Sequence, residues 1–195
     1  MFKTRLGLIL CTGLMACASS GISESGLLGD TSGFERRGDS LLVDPLAGAD
    51  SLRGYTRVHM EPVLVYLGPE ARERGVGPVQ QRHLGQLFRR ALRTELSQYF
   101  VLVGDPAERG SDLMDLRVVI TDVEPGDPES GVPGNGTVEV ELLATSTGER
   151  LVAAISRKWG RAPHTAPDEK HAEAEFAFQA WSTELREWLV AATGR

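Results

Sequence analysis

Leu113-Met114-Asp115-Leu116-Arg117-Val118-Val119-Ile120-Thr121-Asp122-Val123 is the stretch that decides the fold. Met114, Leu116, Val118 and Ile120 share one parity, while Asp115, Arg117 and Thr121 share the other. A period of two is the signature of a half-buried strand, because successive side chains leave a strand on opposite faces. Residues 137–145 repeat the pattern, with Val138, Val140, Leu142 and Ala144 inward and Glu139 and Glu141 outward. Leu151, Ala153, Ile155 and Trp159 align in a third run, after the turn signal Ser146-Thr147-Gly148-Glu149. Three such runs joined by turns predict an antiparallel meander.

Upstream, alternation also holds over Tyr55 to Leu67, but it changes phase at Glu61-Pro62. Val58 and Met60 lie on one side of that change, and Val63, Val65 and Leu67 on the other. A strand with a bulge or bend at Pro62 accounts for the switch. Pro78 to Gln98 predicts a helix, since Leu84, Leu87, Phe88, Ala91, Leu92 and Leu96 recur at threes and fours. Phe100 to Val103 is a short strand. A second helix is expected over 167–192, opened by the capping pair Thr165 and Asp168. Its stripe of Ala174, Phe178, Trp181, Leu185, Trp188 and Ala192 is too short for a coiled coil and is expected to pack on the sheet.

The expected order is β-α-β-β-β-β-α. It makes an α+β fold: a single, mostly antiparallel sheet of about five strands with two helices on one face. The first helix is expected to connect parallel strands by a right-handed crossover. The other face, with Asp115, Arg117, Glu139 and Glu141, is expected to be wet or to meet the N-terminal arm.

The N-terminus speaks to location. Lys3 and Arg5 precede a mostly apolar run from Leu6 to Met15, the layout of a secretory signal. The run is half the length of about 20 residues that a membrane span needs. Leu14-Met15-Ala16-Cys17 resembles the bacterial lipobox, in which a peptidase cuts between residues such as Ala16 and Cys17 and the thiol carries the lipid. An ordinary cut after Ala18 is the alternative. Cys11 leaves with the signal, so the mature chain keeps one cysteine and no disulfide is expected. With no aspartate after Cys17, the periplasmic face of the outer membrane is the expected site.

Three regions are expected: signal peptide 1–16, anchored tether and partly docked arm 17–53, and globular domain 54–195. Apolar Leu41-Leu42-Val43 and Leu46 single out the stretch of the arm that docks. Loss of the signal, with its two cations and no acid, takes the formal net charge from −6 to −8. That balance and that compartment argue against nucleic acid as a partner.

Catalytic patterns are scarce. His59, His83, His164 and His171 show no HExxH spacing, and no G-x-S-x-G elbow or phosphate-binding loop occurs. Neither a metal nor another cofactor is expected. The acids of residues 122–129 lack the EF-hand pattern and read as a solvated loop. Asn135-Gly136 reads as a hairpin turn, and with Thr137 it also matches a glycosylation acceptor. Arg82, Arg89, Arg90 and Arg93 gather on the outer side of the first helix. They form a candidate interaction surface for phosphates or an acidic partner, but the favoured reading is a solvated face paired with Glu95 and nearby acids.

Ser25-Gly26-Leu27-Leu28-Gly29-Asp30, then Leu52-Arg53-Gly54-Tyr55-Thr56-Arg57-Val58 running into Glu61-Pro62-Val63, are similar to the opening of the bacterial lipoproteins called domain of unknown function 3313. Residues 116–123 and 147–151 resemble that family's sheet region. The resemblance implies an outer-membrane lipoprotein of unknown role and brings no catalytic residues. The expected function is therefore a lipid-anchored periplasmic lipoprotein with a non-enzymatic binding or envelope-assembly role. The partners expected are the membrane, through the anchor, and an envelope protein. A periplasmic hydrolase or small-ligand binder, using an unfamiliar site near His59 or the acidic loop, is the alternative.

Overall fold

The computed structural model describes residues 25–37, 41–43, 52–66, 76–105, 107, 110–124, 135–159 and 172–195. For residues 41–43, 124, 159, 172 and 173 only the backbone is described. The signal, Ala16 and Cys17, Leu46, most of the acidic loop, His164, His171 and the Thr165–Asp168 cap lie outside the described residues.

Strands β1 (Glu35–Arg37) and β2 (Leu41–Val43) come first, then β3 (Arg57–Met60), β4 (Leu64–Val65) and helix α1 (Pro78–Leu96). Next come β5 (Val101–Val103), β6 (Leu113–Glu124), β7 (Asn135–Ala144), β8 (Arg150–Trp159) and helix α2 (Ala172–Thr193). The sheet runs β1-β2-β8-β7-β6-β3-β5, with β4 also on β6.

The α+β class holds, but the sheet is mixed rather than mostly antiparallel. The strands β6 to β8 form the expected meander. By contrast β3 runs parallel to both of its neighbours, β5 and β6. The reason is the shortness of β5. Three residues span only about 10 Å, so the nine residues from Gly104 to Asp112 can carry the chain back past β3 to start β6 in the same direction. The arm adds two further strands, and β2 pairs with β8 through Leu41–Val43.

The phase change at Pro62 is a bulge. Met60 lies opposite Leu116 and Leu64 opposite Val119, so four steps on one strand meet three on the other. The bulge turns Val63 toward the helix layer, where its carbonyl meets Gly85 of α1. A Cβ at Gly85 would sit 2.8 Å from that oxygen, so only glycine lets helix and strand approach this closely.

Pro78 opens α1, and Gln80 Oε1 accepts the Gly77 N–H at 2.9 Å. The helix buries Leu84, Phe88, Leu92 and Leu96 against Val58, Met114, Leu116, Ile120 and Leu142 of the sheet. The α2 stripe joins the same core: Phe178 stacks on Phe88 with ring centroids 4.7 Å apart, and Trp181 lies 5.8 Å from Phe88. Trp181 also explains Gly136. That residue is no turn but part of β7, opposite Val123 and Lys158, and a Cβ there would be 3.2 Å from the indole ring. Asn135 is buried, and its Oδ1 accepts hydrogen bonds from Arg157.

The expected alignment of Leu151 with Ala153 and Ile155 does not hold, since Leu151 joins the helix-side core. Ala153 and Ile155 of β8 point away from the helices, and Val152 points toward them. The cause is a bulge: Leu142 faces Val152 while Leu143 faces Arg150, leaving Leu151 as the extra residue. Strand β8 is apolar on both sides because the helices cover one and the arm covers the other.

Candidate functional site: a clasped arm and an arginine face

Gly26 and Gly29 have φ of 82° and 66°, the left-handed region that other residues avoid. They fold Ser25–Asp30 into a tight turn, with the Gly29 N–H donating to the Gly26 carbonyl at 3.3 Å. The turn lowers Leu28 onto Ala153 and Ile155, and Leu27 and Phe34 pack beside them.

Polar groups lock this docking. The Ser25 N–H donates to Glu139 Oε1 at 2.6 Å and the Ser25 hydroxyl to Oε2 at 2.5 Å. Arg150 reaches both arm and sheet: Nη2 donates to the Leu28 carbonyl at 3.0 Å and Nε to Glu141 Oε1 at 2.8 Å. Arg117 closes the network, with Nη1 on Glu141 Oε2 at 3.4 Å and Nε on Glu61 Oε1 at 2.9 Å. That bond to Glu61 is the main reason the Arg117 guanidinium is held above its ordinary pKa. Glu139 is 0% exposed and Glu141 4%. The expectation that this face is wet or meets the arm resolves in favour of the arm at Glu139. Every oxygen of both carboxylates is engaged by the arm or by an arginine.

Next to the clasp, Leu27, Glu61, Pro62, Leu64, Arg117, Val118 and Val119 line a cavity of about 150 Å³. That is below the roughly 300 Å³ at which small-molecule pockets begin.

Elsewhere on this face His59 and Asp115, cross-strand partners on β3 and β6, meet with Nδ1 to Oδ1 at 3.0 Å. At the same end Arg57 and Thr56 bind Asp112, with Arg57 Nη2 at 2.9 Å and the Thr56 hydroxyl at 2.6 Å. The Arg57 guanidinium first, and then Thr56, hold the Asp112 carboxyl down at about 2. Among the described residues no group of three or more His, Cys, Asp or Glu could hold a metal ion, and no helix is long and apolar enough to cross a membrane.

On the helix layer, Arg82, Arg89, Arg90 and Arg93 are all exposed on α1. None forms an ion pair with a described residue. Glu95, one of the acids expected to pair with them, turns the other way: Arg186 Nε of α2 lies 3.1 Å from Oε2, and Gln179 donates to Oε1 at 2.7 Å. The structure therefore gathers the four arginines on one surface without a counter-charge among the described residues. The sequence singled out this face but missed the clasp. Its only signal was the pair of glycines flanking Leu27-Leu28, which marks a turn but no destination.

Several solved structures are similar in fold. Protein XCC0632 from Xanthomonas campestris is 14% identical, with 70% of this chain and 85% of that one covered, at a TM-score of 0.48. The PelC dodecamer from Paraburkholderia phytofirmans is 13% identical, covering 67% and 88%, at 0.43. A minor lipoprotein from Acinetobacter baumannii is 10% identical, covering 70% and 94%, at 0.39. No curated protein matches the chain. A family model described as protein of unknown function (DUF3313) matches residues 23–133, which takes in the arm's half of the clasp, the bulged strand, the arginine helix and β6. This spans more than half of the chain, which therefore belongs to the DUF3313 family.

Proposed function

We propose that this protein is a lipid-anchored envelope lipoprotein at the periplasmic face of the outer membrane, and that its folded body works by binding rather than by catalysis. The observation that carries the reading is Leu14-Met15-Ala16-Cys17 at the end of a basic and then apolar leader. The clasp supports it. Ser25 lies eight residues beyond Cys17, so the link from lipid to body is at most about 28 Å. A body held this close to a bilayer suits work at the envelope. The engagement of Glu139 and Glu141 in structure favours binding over turnover.

The test is the intact mass of the membrane-extracted protein. Cleavage before Cys17 with a fatty adduct on it is the expected result, and Cys17→Ser should release the protein to the soluble fraction. A bare amino end would sink the anchor. Recovery in the lighter, inner-membrane band of a density gradient would overturn the outer-membrane assignment. One observation favours a second reading, a periplasmic hydrolase or small-ligand binder: the His59–Asp115 pair, in which a carboxylate orients an imidazole as a general base requires. On that reading His59→Gln should abolish function in cells while the fold persists; full function in that variant rejects it.

A further inference from the structure

We propose that the outer face of α1 is a docking surface for an acidic protein, gripped through Arg82, Arg89, Arg90 and Arg93. The orientation it invokes rests on the anchored reading above; the surface itself does not.

Three observations carry it. Arg82, Arg89 and Arg93 follow helical spacing and form one stripe, with Arg90 beside it and exposed Gln86 in its middle. From Arg82 to Arg93 the stripe is about 16 Å long at 1.5 Å per residue. Four guanidinium groups stay charged at any physiological pH. Crowding them on one helix opposes folding slightly, since Arg89 and Arg93 are a like-charge pair four apart.

Second, no described acid neutralises them. The chain holds 27 acids against 21 lysines and arginines. Yet α1 carries a single acid, Glu95, and that acid faces inward to Arg186 and Gln179. A concentrated positive face on a net acidic protein gives complementarity to a negative partner, and guanidinium forks pair with carboxylates two bonds at a time.

Third, the layering selects a protein over the anchoring bilayer. The arm docks on the sheet face opposite the helices. Helix and sheet layers stand about 10 Å apart and a helix adds a radius of about 5 Å. With the short link ending at Ser25, the arm side is turned to the lipid and the arginine face stands roughly 15 Å beyond the sheet, pointing outward.

The test uses the full lipidated chain in its own cells, with a photo-crosslinking amino acid in place of Gln86. The expected adduct is a second protein, joined at an acidic segment, with its yield falling roughly tenfold in R82Q/R89Q/R90Q/R93Q and on raising salt. In parallel, the detergent-solubilised chain should bind a labelled poly-glutamate peptide, and the fourfold variant should lose that binding while melting as the parent does. A lipid adduct, an adduct between two copies of this chain, no adduct, or a protein adduct indifferent to the four substitutions would each overturn the proposal. The mass at Cys17 in the same sample separates the two ideas: a bare cysteine with the adduct retained removes the anchor and leaves the docking surface.

Discussion

On the helix side of the sheet, Leu116, Ile120 and Leu142 lie fully buried beneath Phe88, Leu92 and Phe178. On the arm side Glu139 and Glu141 are just as hidden, beneath Ser25 and between two arginines. Equal burial has unequal energetic meaning. Each large apolar side chain removed from water contributes about 1.5–3 kcal/mol. A buried ion pair roughly breaks even, because desolvation cancels most of its Coulomb gain. The helix side therefore supplies stability, and the arm side fixes where the arm goes. A charged residue left without its partner would be costly, so one arrangement of the arm is singled out.

Four experiments would break or sharpen that contrast. The largest effect is expected on the helix side. Phe88→Ala, which removes the ring stacked on Phe178, should cost about 3–5 kcal/mol in urea unfolding. Gly85→Ala comes next. Its new methyl meets the Val63 carbonyl rather than a movable side chain, and overpacking of that kind costs about 1–3 kcal/mol. Ser25→Ala is the arm-side counterpart. It removes the hydroxyl bond to Glu139 and should cost about 1 kcal/mol. Hydrogen exchange should speed up across residues 27–37 and stay slow in α1. Equal acceleration in both would erase the distinction between the faces.

The smallest effect is a pH dependence at the β3–β6 end. Asp112 is held at about 2, below its ordinary carboxylate value, by Arg57 and Thr56. A depressed carboxyl contributes stability that is fully present above the unfolded pKa of about 3.9 and is lost as pH falls through the folded value. Urea midpoints of the parent should therefore fall more than those of Asp112→Asn between pH 4 and pH 2. Parallel curves would show that the Arg57 pair contributes nothing to folding.

The same contrast explains what the sequence disclosed. Both helices, the meander and the bulge at Pro62 follow from periodicity, a property of neighbouring residues. The parity that put Glu139 and Glu141 on one face was also legible. What covers that face was not, because Ser25 lies 114 residues from Glu139 and alternation carries no information about so distant a contact. For the same reason the alignment of Ala153 with Ile155 does not say which layer covers them. Gly136 misled differently: Asn-Gly is the common hairpin signal, yet here the missing side chain makes room for Trp181. The parallel β6 was hidden by a loop whose length fits either direction. The four arginines were legible as a face, but the inward turn of Glu95 is a packing outcome.

The clasp also imposes a timetable. Residues 25–43 leave the ribosome first, but their seats on β7 and β8, Glu139 and Ala154 to Ser156, emerge more than a hundred residues later. Until then the arm has nowhere to settle, and the free rim of β8 is an invitation to stray strands. Closing so long a loop is slow. The seating of the arm is therefore expected to be the last step of folding.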